Sequence, residues 1–178
     1  MAAPDYVVEP LGGHHDRTAF ASGSGPCDRY FRRQAGQDVR NDVARCFVLV
    51  HRASGRIAGF YTLSSYGIQP GDLPAALARR LPRYPLIPAI LLGRLAVDAR
   101  YRGQGVGRRL LVSALLRALA YSRDIVAFAV IVEAKDDAAR VFYKRHGFTP
   151  FPDQPSRLYL PMWTIERGSV AYGDGLTG

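Results

Sequence analysis

The sequence predicts an α/β fold: a single domain with a mixed sheet and helices on both faces. Three observations carry this. Apolar runs alternate with amphipathic stretches in the order β, α, β, β, α, β, α, β, α, β. Two of those runs, 90–97 and 125–133, flank the most regular amphipathic stretch, as buried parallel strands flank a crossover helix. The chain has 178 residues, 48% of them hydrophobic, which is enough for one sizeable core and excludes a disordered composition.

Taken in order, residues 5–9 read as a short strand, and 10–26 as a loop with Gly12-Gly13 and Ser22-Gly-Ser-Gly25. From Cys27 to Val39 the apolar residues recur at helical spacing, with Gly36 as a weak point. Residues 45–51 and 56–66 form an antiparallel hairpin around Arg52-Ala-Ser-Gly55. Asp72 caps a short helix that starts near Leu73-Pro74 and ends at Pro82. A stiff proline-rich segment, 81–88, leads into the strand ending at Val97. Residues 105–122 are a helix with Leu110, Leu111, Ala114, Leu115, Ala118 and Leu119 on one face. The strand 125–133 follows, then a helix from Asp136-Asp137 through Arg145, closed by Gly147. Residues 157–165 make a last strand, in which Pro161 indicates an edge or a bulge. The domain is expected to span 1–166, with 167–178 as a loose tail.

Composition narrows the function. The formal net charge is +9, and the basic side is almost entirely arginine, Lys135 and Lys144 being the only lysines. Arginine binds phosphate bidentately and stacks on bases, so a phosphate-rich or RNA partner fits. The two cysteines, Cys27 and Cys46, lie outside any metal spacing and read as free thiols of a reducing compartment. The start of the chain lacks the basic and apolar segments of a secretory signal, and no stretch has the length of a membrane helix, so a cytoplasmic location with no membrane contact is expected. His14-His15 lacks ligand spacing, and no metal is expected. His51 and His146 read as surface or strand-edge residues.

The chemistry centres on 91–112. An apolar strand ends at Val97, and Gly103, Gly105 and Gly107 then alternate with other residues before the helix opens. Glycines permit close backbone approach, and helix-end N–H groups together with the dipole favour an anion. Arg102 and Arg108 flank the turn. The pattern is neither the dinucleotide fingerprint nor a Walker loop, since no Gly-Lys-Ser/Thr follows. A phosphate or pyrophosphate is the expected ligand.

Arg102-Gly-Gln-Gly-Val-Gly107 resembles the acyl-coenzyme A signature of the GNAT acetyltransferases, Arg/Gln-x-x-Gly-x-Gly/Ala. The strand Leu95-Ala-Val-Asp98 and the later Asp137-Ala-Ala-Arg-Val-Phe-Tyr-Lys-Arg-His-Gly-Phe148 complete that resemblance in order and spacing, over residues 45–160. A narrower likeness is to the GNAT-type toxins of bacterial toxin–antitoxin modules. It rests on His15-Asp-Arg-x-x-Phe20, Asp28-x-Tyr, Ala35-x-Gln-Asp38, Gly59-Phe-Tyr-Thr-Leu-Ser64, Pro82-Arg-Tyr-Pro85, the run from Ile87 to Asp98, and Arg157-Leu-Tyr-Leu-Pro-Met162. The chain departs at Ser22-Gly-Ser-Gly-Pro-Cys27, where a cysteine-glycine-leucine pattern is common.

The resemblance implies a GNAT acyl-CoA N-acyltransferase fold and acetyl-CoA as cofactor. It implies transfer to the α-amino group of aminoacyl-tRNA, which blocks translation, a ribbon-helix-helix antitoxin, and a homodimer. In this fold Leu95, Ala96 and Val97 add to the pantetheine arm by backbone hydrogen bonds and polarise the thioester carbonyl. The pyrophosphate sits on Arg102, Gly103, Gln104, Gly105, Val106 and Gly107, with Arg108, Asp137 and Phe142 nearby. Tyr143 is the general acid for the leaving sulfur, since a phenol with an ordinary pKa near 10 is protonated at neutral pH. No general base is evident, and Glu133 reads as structural.

For the RNA, Arg29, Arg32, Arg33, Arg83, Arg94, Arg109 and Arg117 are the candidate contacts, with Arg79, Arg80 and Arg123 behind them. Arg94 interrupts an apolar strand, so it must reach a partner or a cleft. Two alternatives stay open: a GNAT enzyme acting on a small amine or protein N-terminus, and a non-enzymatic nucleic-acid-binding or cofactor-sensing module.

Overall fold

The apolar runs become strands that pair into one mixed sheet. The computed structural model describes residues 5–173, with side chains through Gly168. Among these residues the strands are β1 (Tyr6–Pro10), β2 (Arg45–His51), β3 (Ile57–Ile68), β4 (Ile87–Val97), β5 (Ala129–Glu133), β6 (Thr149–Phe151) and β7 (Gln154–Pro161), in the sheet order β1-β2-β3-β4-β5-β7-β6. β4 and β5 are parallel, with Ile90 opposite Val130. The pairs β1/β2, β2/β3, β5/β7 and β6/β7 are antiparallel. The helices are α1 (Gly25–Arg29), α2 (Ala35–Arg40), α3 (Ala75–Ala78), α4 (Val106–Asp124), α5 (Asp137–Arg145) and α6 (Met162–Gly173). A mixed α/β architecture is thus present.

Six stretches differ from the sequence expectation, each for a local reason. The helical segment after Cys27 is not uniform: a π-helical turn, Tyr30–Gln34, joins α1 to α2. The helix at 73–82 is reduced to a 3₁₀ turn, Pro70–Asp72, and the single-turn α3, because Pro70 and Pro74 each start a new turn. β5 begins at Ala129 rather than 125, since α4 runs on to Asp124 and leaves Ile125 and Val126 exposed. An apolar run has the same composition whether it is strand or connector.

At the other end, 162–165 is helix rather than strand. Met162 and Ile165, one turn apart, are both buried on the inner face of α6. Pro161 is therefore the last residue of β7, opposite Ala129, and β7 lies between β5 and β6 rather than at an edge. The expected loose tail from 167 continues α6 through Gly173, and 174–178 lie outside the described residues. The three-residue β6 carries too short a period to be seen in sequence.

The described chain divides into two units, each with its own core. The first takes residues up to Ser64 and Gly93–Ala114; the second takes Ser65–Leu92 and Leu115–Gly173. In the first, Phe20, Phe31 and Phe60 are fully buried, with Phe31 and Phe60 stacked at 4.1 Å. Burying each such ring is worth about 1.5–3 kcal/mol. The start of α4 packs so closely on the sheet that a Cβ on Gly59 would stand 2.6 Å from Leu110 Cδ1 and 2.8 Å from the Ala96 carbonyl oxygen. The second unit packs Ile68, Leu73, Ile87, Ala89, Ala129, Ile131, Phe151 and Tyr159 together.

Candidate active site

The end of β4 sets up the turn in the first unit. Asp98 is 1% exposed and accepts hydrogen bonds from the Arg100 N–H (2.9 Å), the Arg100 guanidinium (2.9 Å) and the Ala21 N–H (3.2 Å). Burial pushes its carboxyl up, but these bonds outweigh that and hold it below the usual carboxylate range. Past the 3₁₀ turn Ala99–Tyr101, Gly103 and Gly105 both take φ +74°, a conformation side chains resist. Among the described residues, no atom beyond the immediate chain neighbours lies within 4 Å of where a Cβ would stand on either glycine. α4 opens directly after, at Val106. Its first N–H groups have no intrahelical carbonyl to bond, and its positive dipole end adds to them. Left-handed glycines at a helix start make an anion cradle.

The side chains of the turn are already engaged. Gln104 Oε1 accepts a hydrogen bond from the Tyr6 hydroxyl at 2.9 Å, and the Arg109 guanidinium lies 5.6 Å from the centre of the Tyr6 ring. The Tyr6 phenol is pushed up by burial, by Tyr101 and by Asp5, with Arg109 opposing. The Arg102 guanidinium donates to the Ser22 carbonyl. Arg108 is exposed. The support from Tyr6 was not legible in sequence, because 98 residues separate it from Gln104.

The second unit holds the aromatic helix. Asp136 caps α5: its carboxylate accepts from the Ala139 N–H at 2.8 Å. Asp137 is the first helical residue, exposed and 3.6 Å from Arg140. Tyr143 is 6% exposed, its ring between Phe142 at 5.3 Å and Phe148 at 5.4 Å. Its carbonyl accepts from the N–H groups of His146 (3.0 Å) and Phe148 (3.1 Å), and Gly147 at φ +93° lets the chain reverse there. Of the two adjacent aromatics Tyr143 is the more buried, and Phe142 is half-buried. Glu133 pairs with Arg157 at 2.8 Å, the structural role that its strand-end position suggested.

The arginines separate into groups. Arg29, Arg32 and Arg33 are exposed on the segment α1 to Gln34. Arg94 joins them: its guanidinium lies 3.6 Å from the centre of the Tyr30 ring, a cation–π contact. The Tyr30 hydroxyl donates to Asp38 at 2.9 Å, and burial together with that bond pushes its phenol up. Arg94 interrupts the apolar strand because it stacks on an aromatic ring. Arg109 sits instead over Tyr6, beside the glycine turn. Arg83 and Arg117 belong to the second unit, and both are exposed.

The two histidines do converge, contrary to the expectation from their adjacency. Donor atoms of Glu9, His14 and His15 lie within 4.8 Å of one another. The Gly12 N–H donates to His15 Nδ1 at 2.9 Å, which leaves the ring hydrogen on Nε2, 2.7 Å from Glu9 Oε2. This hydrogen bond holds the Glu9 carboxyl below its usual range. The nitrogen nearest the carboxylate thus carries a proton and has no lone pair to offer an ion. Cys27 and Cys46 are free thiols, and burial pushes Cys46 up to about 12. No helix among the described residues is long and apolar enough to cross a membrane.

Fold and turn together define a class: α/β proteins that hold a phosphate-bearing cofactor where a strand passes through glycines into a helix. Residues 42–150 match the model of the acetyltransferase (GNAT) domain, and the chain belongs to that family. It is an acetyl-CoA-dependent N-acetyltransferase. It is 33% identical over 168 residues to a probable toxin TacT of Sinorhizobium fredii, covering 89% of this chain and 92% of the relative. It is 37% identical over 147 residues to a tRNA-acetylating toxin of Mycobacterium tuberculosis, covering 83% and 86%. Among solved structures, AtaT complexed with acetyl-methionyl-tRNAfMet superposes with a TM-score of 0.84 at 27% identity, over 92% of this chain and 98% of that one. A tyrosine-to-phenylalanine mutant of the AtaT toxin, bound to acetyl-CoA and the C-terminus of the antitoxin AtaR, gives 0.77 at 25%, over 92% and 98%.

Proposed function

We propose that this enzyme transfers the acetyl group of acetyl-CoA to the α-amino group of aminoacyl-tRNA, and so acts as a toxin that blocks translation. The observation that carries the RNA reading is the exposed arginine group Arg29, Arg32 and Arg33, with Arg94 stacked on Tyr30 of the same segment. A polyanion suits such a surface, and a small amine does not need it. The tRNA-acetylating relative and the tRNA complex of AtaT support the same acceptor, and the probable toxin TacT supports the toxin role.

The turn fits the cofactor. The open space above Gly103 and Gly105 is what a pyrophosphate needs, and Gly103 to Arg108 supply the N–H groups to hold it. Bound acetyl-CoA supplies an activated acetyl carbonyl and a thiol leaving group. The backbone of Leu95, Ala96 and Val97 on β4 binds the pantetheine amides and donates toward the carbonyl oxygen as negative charge develops there. Arg108, Asp137 and Phe142 complete the binding set. Tyr143 holds a proton at Oη and gives it to the departing sulfur. The acceptor amine needs no strong base, because an α-amino group titrates near pH 8 and is partly neutral at neutral pH.

We further propose a small antitoxin, ribbon-helix-helix in type, a homodimeric state, and a cytoplasmic location, where charged tRNA and acetyl-CoA are found together; the antitoxin complex of AtaT supports an antitoxin partner, and the remaining properties follow from the likeness to the GNAT-type toxins. Labelled acetyl-CoA, purified enzyme and charged tRNA test the central reading. Label is expected on the aminoacyl group, with activity falling steeply as salt rises. Label on a small amine or a protein N-terminus, with none on charged tRNA, would overturn it.

A further inference from the structure

The loop 21–23 connects the two ligand-binding parts of the first unit. On one side it is fastened to the glycine turn. The Ala21 N–H donates to the buried Asp98 carboxylate at 3.2 Å, the Ala99 N–H donates to the Ala21 carbonyl at 2.9 Å, and the Arg102 guanidinium donates to the Ser22 carbonyl. On the other side it is fastened to the arginine-bearing helix. The buried Asp28 carboxylate accepts both the Ser22 N–H at 2.9 Å and the Ser22 hydroxyl at 2.6 Å. Ser22 Oγ in turn accepts the Ser24 N–H at 3.2 Å, and the Ser24 carbonyl accepts the Asp28 N–H at 2.9 Å. Arg29 follows directly, and Arg32 and Arg33 lie one turn on. Gly23 at φ +87° makes room for the junction: a Cβ there would stand 2.6 Å from Arg102 Nη2. A guanidinium at the first position of a phosphate-binding turn is thus spent on a loop carbonyl 80 residues away.

We propose that Arg102 is a positioning residue rather than a phosphate ligand. Through Ser22 and Asp28 it sets the arginine-bearing segment against the acetyl-CoA turn, so that occupancy of the turn strengthens RNA binding. This rests on the RNA reading above. The physical link is ordering. A phosphate seated on the turn restrains residues 102–107, the Arg102 bond passes that restraint to Ser22, and the segment that must hold Arg29, Arg32 and Arg33 in register loses less entropy when RNA arrives. By thermodynamic reciprocity, RNA then tightens cofactor binding by the same factor.

The test is a linkage measurement. The affinity of tRNA is measured with and without saturating coenzyme A, which cannot react, and coenzyme A affinity is measured by calorimetry without tRNA. The wild type is expected to bind tRNA about fivefold tighter or more with coenzyme A present, the low end of ordinary coupling. Arg102→Met keeps the aliphatic stem and loses the donors. It is expected to bring the ratio close to one, to leave coenzyme A affinity within twofold, and to raise KM for charged tRNA more than it lowers kcat. A tenfold loss of coenzyme A affinity in this variant would make Arg102 a phosphate ligand and overturn the proposal. So would an unchanged ratio, or a wild type with no coupling. Should Arg102→Met not fold, Ser22→Ala, which removes the hydroxyl bond to Asp28 and the acceptor of the Ser24 N–H, is expected to lower the same ratio, and an unchanged ratio there counts against the proposal. A wild type that fails to bind tRNA at all is a separate result, and it sinks the RNA reading itself.

Discussion

The turn after β4, which we assign to the cofactor, and the end of α5, to which we assign the general acid, are built from different material. The turn works through backbone. Its glycines stand at φ +74° with open space where side chains would be, and its donors are the N–H groups of a helix start. The role proposed for the end of α5 rests on one side chain, Tyr143, wedged between Phe142 and Phe148 and held by two hydrogen bonds to its own carbonyl. A backbone site fails when conformation is disturbed. A side-chain site fails when one functional group is lost, even if the conformation stays.

Substitutions that separate these two modes make the comparison testable. The largest effect belongs to Tyr143→Phe, which keeps the ring packing and removes the proton. kcat is expected to drop by about 10²–10⁴-fold, the usual range for a lost general acid, with KM for acetyl-CoA and the thermal midpoint little changed. A kcat within threefold of wild type would remove Tyr143 from the mechanism. Next is Gly105→Val. The new Cβ meets no protein atom, so the fold is expected to survive, while a strained left-handed valine costs about 1–3 kcal/mol and blocks the cradle. Steady-state kinetics are expected to show KM for acetyl-CoA rising about tenfold or more, on the same strain estimate. A fall in kcat with unchanged KM would break the contrast between the two parts.

Gly59→Ala probes the support beneath the turn. Its Cβ collides with Leu110 and the Ala96 carbonyl, so α4 must shift, at a cost of about 1–3 kcal/mol read from denaturant melts. Asp98 gives a pH dependence of known sign. Its folded pKa is depressed, so its contribution to stability is present above the ordinary carboxylate pKa of about 3.9 and is lost as pH falls through the lower folded value. Melts between pH 6 and pH 3 are expected to fall less steeply in Asp98→Asn than in wild type, and parallel curves would refute the assignment. The smallest effect is that of Tyr6→Phe. Loss of its exposed bond to Gln104 is worth about 0.5 kcal/mol, so KM for acetyl-CoA is expected to rise about twofold with kcat held.

Much of this was legible in the residues because local chemistry wrote it there. β2 runs over 45–51 as its apolar residues predict, and α5 ends at Arg145 before a left-handed Gly147. The glycine turn sits where Gly103 and Gly105 placed it. The misreadings came where local patterns are ambiguous. Ile125 and Val126 look like the start of a strand and are an exposed connector, and Met162 to Ile165 look like strand and are helix. Asp136 and Asp137 are equally acidic, and only their backbone angles decide which one caps α5.

By itself the sequence determined the α/β class, the glycine turn before a helix, and Phe142-Tyr143 on a short helix, since each is encoded by neighbouring residues through periodicity, glycine placement and capping. Only the tertiary structure decided which arginines are engaged and with what. It put Arg94 on Tyr30, Arg102 on Ser22, Arg109 over Tyr6, and His15 against Glu9. The reason is physical. A hydrogen bond or cation–π contact needs only a few ångströms in space and imposes no pattern along the chain. Groups 80 or 98 residues apart, such as Ser22 with Arg102 or Tyr6 with Gln104, meet only once the strands and helices between them have packed.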